Sequence, residues 1–131
     1  MPGVHALTDI TGFGLAGHTL EIARGARLTA VIEWSKVPML AGVEAMAGDG
    51  FITGASGRNW AGYGADVTLS SALPTVAQDL LSDPQTSGGL LVTCDPDTAD
   101  EVLRVFHAQG FEHAAVIGHM QAGAGRLRVE I

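Results

Sequence analysis

Residues 12–34 read GFGLAGHTLEIARGARLTAVIEW, and this stretch decides the fold class because its apolar period changes midway. Leu15, Ala16, Leu20, Ile22 and Ala23 recur at helical spacing, which predicts a helix starting just after Gly12-Phe13-Gly14, with Gly25 placed to stop it. From Arg27 to Trp34 the period drops to two. Leu28, Ala30, Ile32 and Trp34 alternate with Thr29, Val31 and Glu33, the pattern of a strand with one better-buried face. A helix feeding straight into a strand points to an α/β or α+β fold with a mixed β-sheet packed with helices.

Moving outward, Ser35-Lys36-Val37-Pro38 offers a cap and an early proline for a helix carrying Met39 to Ala47, ended by Gly48 or Gly50. Phe51 to Gly64 holds four glycines and no period, and reads as a long loop. A short strand at Ala65–Ser70, a short helix at Leu73–Leu81 and a second glycine-bearing loop at Ser82–Gly89 follow. Leu90–Cys94 reads as a short buried strand. Thr98 and Glu101 are spaced as a capping box for a helix whose inner face is Val102, Leu103, Val105 and Phe106, with Gly110 at its end. Ala114–His119 and Leu127–Ile131 are expected to pair through the Gly123-Ala124-Gly125 turn.

The 131 residues suit one domain, and the 47% hydrophobic share can supply a core. Glycine, at 18 residues, is about twice its usual share, which implies tight turns and close backbone approaches. A single cysteine cannot form an internal disulfide. The first twenty residues hold no Lys or Arg, unlike a secretory or transit leader, and no apolar run approaches the ~18 residues of a membrane span. A cytoplasmic setting with no membrane partner is therefore expected. Seven basic against fourteen acidic residues give a charge of −7, which argues against nucleic-acid binding. No Lys or Arg occurs between Arg58 and Arg104, so a phosphate handled there needs backbone N–H groups, a metal ion or cations from elsewhere.

Two stretches could carry chemistry. In the first, His5 to His18, Thr8, Asp9 and Thr11 precede a glycine-flanked helix start, where free N–H groups favour an anion and Asp9 could place a hard oxygen on Mg²⁺. The plainer alternative is that Thr8, Asp9 or Thr11 caps the helix. In the second, Leu80 to Leu91, the segment Asp83-Pro84-Gln85-Thr86-Ser87-Gly88-Gly89 lacks the Lys and following helix of a P-loop. It suits a phosphate-facing or interface loop, or a turn whose glycines merely supply positive φ. Cys94 reads as a small hydrophobe rather than a nucleophile, and His107, His113 and His119 lack the paired spacing of a zinc helix.

Taken in order, Thr8-Asp9, Thr11-Gly12-Phe13-Gly14-Leu15 and Asp83-Pro84-Gln85-Thr86-Ser87-Gly88-Gly89-Leu90-Leu91 resemble the two signatures of the selenophosphate synthetases (selenide, water dikinases). Pro38, the glycine-rich loop and Asn59-Trp60 fall between them in the order this resemblance implies. The Phe between glycines separates the chain from the related aminoimidazole ribonucleotide synthetases, thiamine-monophosphate kinases and hydrogenase maturation proteins. The resemblance implies a single partial domain over residues 1–131. It corresponds to the later part of the C-terminal domain of the aminoimidazole ribonucleotide synthetase superfamily, truncated on its N-terminal side.

The family makes selenophosphate from selenide, ATP and water, releasing AMP and phosphate, with ATP between two domains and the N-terminal domains paired. By resemblance, Asp9 would be a magnesium carboxylate, and Thr86, Ser87, Gly88 and Gly89 would line the cleft. The catalytic Cys or selenocysteine and Lys would belong to an N-terminal domain, which becomes the chain's expected partner. The chain alone is then expected to be inactive, and a homodimer is one way to cover a truncated sheet. A free-standing, non-catalytic domain for partner binding or self-association is the competing reading.

Overall fold

Thirteen residues, Gly14–Ala26, form the helix α1, which carries the centre of the core on Ala16, Leu20 and Ala23, none of them exposed. The computed structural model describes all 131 residues. Ahead of α1 runs a strand, β1 (Val4–Asp9), and behind it β2 (Leu28–Glu33). Then come α2 (Val43–Gly48), α3 (Gly54–Tyr63), β3 (Val67–Leu69) and α4 (Ala77–Leu81). The chain finishes with β4 (Leu90–Cys94), α5 (Ala99–Ala108), β5 (Gly118–Ala122) and β6 (Leu127–Glu130).

Four strands make a mixed sheet in the order β3-β6-β2-β5, with β6 parallel to both β2 and β3, and β5 antiparallel to β2. Its register aligns Ala30 and Ile32 with Leu127 and Val129, and these in turn with Val67 and Leu69. The period-2 alternation therefore delivers one apolar face, which α1 covers together with Ala77 and Leu81 of α4 and Trp34 beyond β2. β1 and β4 form a separate antiparallel pair, irregular between Val4 and Ala6, in which Asp9 faces Leu90 and Thr8 faces Leu91.

Several expectations are corrected. Residues 51–64 are not a loop throughout: Gly54–Tyr63 is helical, with Thr53 as N-cap accepting the Ser56 N–H at 3.3 Å. β5 and β6 do not pair with each other, because β2 lies between them. Gly25 is inside α1, which ends instead at Arg27 in the left-handed region at φ 56°, its N–H bonded to the carbonyls of Ala23 and Arg24. The helix expected from Met39 is confined to α2, following a 3-10 turn at Trp34–Lys36.

The corrections continue in the last third of the chain. Thr98 makes no side-chain cap, since the preceding 3-10 turn leads it into the helix with helical dihedrals. β4 is not buried, as Leu90 is 55% exposed, and no residue of α5 is buried. β4 pairs only with β1, and α5 follows it through the 3-10 turn at Pro96–Thr98.

Candidate functional site

The two glycine-bearing stretches meet in space, tied through their backbones. The Ile10 N–H donates to the Gly89 carbonyl at 2.9 Å, and the Gln85 N–H donates to the Thr11 carbonyl at 3.0 Å. Close approach accounts for Gly88 and Gly14. A Cβ on Gly88 would overlap the Ile10 carbonyl, and one on Gly14 would stand 2.8–2.9 Å from backbone atoms of Leu81, Ser82 and Asp83. Gly14 has φ +73° as well, whereas Gly88 and Gly89 do not have positive φ, so the second loop's glycines are not there for turn geometry.

Helix α3 supplies the clamp that sequence reading placed in a loop. Asn59 Nδ2 donates to the carbonyls of Gly12 at 2.8 Å and Ser82 at 3.0 Å, joining one loop to the other. One turn later the Tyr63 hydroxyl donates to the Phe13 carbonyl at 2.5 Å. Burial pushes the Tyr63 phenol up to about 12, partly opposed by the Gly17 backbone N–H. One turn before Asn59, the buried Ser56 donates to the Asp79 carbonyl at 2.7 Å. Thr53, Ser56, Asn59 and Tyr63 thus sit three or four apart on one helix face, a polar periodicity that apolar pattern matching passes over.

Asp9 ends β1 as an exposed carboxylate, opposite Leu90 and therefore beside the Gly88-Gly89 turn. The alternative capping role is not seen: Phe13 is the N-cap residue of α1 and no side chain caps it. Thr86, Ser87 and Gly89 are exposed and Gly88 is half-buried. The N–H groups of these four consecutive residues donate to no carbonyl of the chain. Such a run suits an anion. Beside it, burial raises the Asp83 carboxyl above its usual range, opposed by a hydrogen bond from Gln85 Nε2 at 3.0 Å.

For a magnesium ion the donor set is right in kind, a hard carboxylate oxygen with hydroxyls nearby. It is too small in number, because nowhere in the chain do three His, Cys, Asp or Glu side chains gather as metal ligands. The chain can give such an ion one carboxylate. His5 and His18 do not converge: His5 Nε2 meets Asp95 at 2.7 Å, while His18 is buried between Thr11 and Glu21. Next to the clamp, Phe13, Gly17, Asn59 and Tyr63 help line an open groove of about 270 Å³. A larger hollow of about 460 Å³ at the ends of β3 and β6 touches neither loop. No helix is long and apolar enough to cross a membrane.

Residues 1–130 match the AIR synthase related protein, C-terminal domain. Proteins called selenide, water dikinase are 64% identical over 129 residues in Burkholderia ambifaria and 60% identical over 129 residues in Pseudomonas straminea. In each case the alignment takes in 98% of this chain and 36% of the relative, so the chain spans about a third of the curated relatives' length. Among solved structures, the fold is similar to that of HypE from E. coli, a hydrogenase maturation protein. The TM-score is 0.69 with 21% identity, over 98% of this chain and 32% of that one. HypE in complex with ATP gives a TM-score of 0.64 at 20% identity, over 97% of this chain and 32% of that one.

Proposed function

The chain belongs to the AIR synthase related proteins as their C-terminal domain, and from that premise we propose that it is the C-terminal-domain part of a selenide, water dikinase. The whole enzyme would use ATP, selenide and water to make selenophosphate, AMP and phosphate in the cytoplasm. The observation that carries this reading is the junction of the two loops. An exposed carboxylate, Asp9, stands next to four consecutive N–H groups with no partner in the chain, at Thr86, Ser87, Gly88 and Gly89. Carboxylate and N–H groups suit the two halves of a magnesium–phosphate assembly.

In this reading Asp9 contributes one ligand to a magnesium ion whose other ligands come from a partner N-terminal domain. The loop N–H groups face phosphate oxygens. Magnesium supplies charge neutralisation when bound, and this chain's own part is to hold one oxygen ligand and a set of donors in fixed relation. With no Lys or Arg between Arg58 and Arg104, the cations for a triphosphate come from outside the chain, which is therefore inactive alone. A homodimer would form through the partner domain or over the exposed β1–β4 face.

The test is Asp9→Asn in the whole enzyme, followed by AMP release against magnesium concentration. The expected result is a loss of turnover with a raised magnesium requirement. An unchanged magnesium dependence would remove Asp9 from the site, and ATP- and selenide-dependent AMP release by the isolated chain would overturn its dependence on a partner domain.

A further inference from the structure

His18 is 7% exposed on α1, and both of its ring nitrogens have a partner. Nδ1 lies 3.1 Å from Glu21 Oε2, and Nε2 lies 3.0 Å from Thr11 Oγ1. The order of donors follows from chemistry. An ionised carboxylate only accepts, so in the neutral ring Nδ1 carries the hydrogen and donates a hydrogen bond to Glu21 Oε2. Nε2 is then an acceptor, and the hydrogen it accepts is that of the Thr11 hydroxyl. We propose that His18 is a positioning residue: with Glu21 it fixes the Thr11 hydroxyl proton inward, so that Thr11 offers only acceptor lone pairs to the junction of the two loops.

Three observations support this. Thr11 is exposed and lies two residues after Asp9, and its carbonyl already holds Gln85 of the second loop. The Phe13 ring leans against the imidazole at 5.8 Å between centroids, restraining its rotation. Glu21, on the same helix three residues on, is half-exposed, while the ring it meets is buried. An acceptor-only hydroxyl beside a carboxylate takes a ligand that donates, such as a water in the hydration shell of a divalent cation. That assignment rests on the function proposed above. The tautomer does not.

The two are separable by experiment. In the ¹⁵N-labelled chain at a pH where the ring is neutral, long-range ¹H–¹⁵N correlation should show His18 protonated at Nδ1 and bare at Nε2. Thr11→Val should move the Nε2 resonance, Thr11→Ser should leave it nearly in place, and Glu21→Gln should raise the share of the other tautomer. Protonation at Nε2 in the wild type, or an Nε2 resonance indifferent to Thr11→Val, would overturn the proposal without touching the proposed function. In the whole enzyme, Thr11→Val and His18→Phe should each lower turnover about 10–100-fold, as loss of an orienting partner does, with Thr11→Ser within a few-fold of wild type. Full turnover in Thr11→Val would overturn the role of the hydroxyl while leaving the tautomer standing.

Discussion

Gly88 stands so close to the carbonyl of Ile10 that no side-chain carbon fits between them, whereas its neighbour Gly89 has open space where a Cβ would be. The two glycines of the second loop are thus unequal. Gly88→Ala should destabilise the chain by about 1–3 kcal/mol through overpacking, with the Ile10–Gly89 hydrogen bond stretched. Gly89→Ala should stay within about 0.5 kcal/mol. Urea denaturation of both variants checks this, and equal losses would mean that the close approach is not what requires glycine.

Asn59 gives hydrogen to two carbonyls, one on each loop. Asn59→Ala leaves both without this donor and should cost about 1–3 kcal/mol. Asn59→Asp should cost more, because it turns acceptors against acceptors. A smaller loss for Asp than for Ala in thermal denaturation would show that the amide does not bridge the loops.

Tyr63 is the only tyrosine, so phenolate absorbance reports on it alone. Its titration midpoint should fall near pH 12 rather than 10. The folded pKa is raised, so the stability linked to the proton is intact below pH 10 and is lost as pH rises from about 10 to about 12. In Tyr63→Phe, the alkaline fall in denaturation midpoint over that window should flatten.

Asp83 has a folded pKa raised by burial, so its contribution to stability is present below the ordinary carboxylate range and lost as pH rises through the folded value. At neutral pH its charge therefore works against the fold. Asp83→Asn keeps an oxygen for Gln85 and should melt at the same temperature or higher at pH 7, with the advantage vanishing in acid. A lower melting temperature at pH 7 would contradict this.

α1 and β2 were legible because their signals are local: residues 12–34 carry a helical period and then an alternating one, and both are borne out. The meeting of the loops was visible only as two glycine-rich motifs, since Asn59 and Tyr63 act across 47 and 50 residues of chain. Glycines 54, 57, 62 and 64 hid α3, whose order comes from a Thr cap and polar anchors rather than an apolar stripe. The Gly123-Ala124-Gly125 turn imitates a hairpin, but nothing local says that β2, which ends at Glu33, takes the place between the two strands. β1 alternates as well, but it ends on Thr8 and Asp9, whose side-chain chemistry masks a six-residue period.

The position of β6 has a consequence for synthesis. Parallel to both β2 and β3 and lying between them, it sits inside the sheet although it follows the other three strands in the chain. Until residues 127–130 have left the ribosome, β2 and β3 have no common neighbour, and the facing side chains Ile32 and Leu69 lack Val129 between them. Sheet closure is thus a late, long-range event, of the kind that slows folding and exposes strand edges to other nascent chains meanwhile. Loss of residues 127–130 alone would leave the gap between β2 and β3 unfilled.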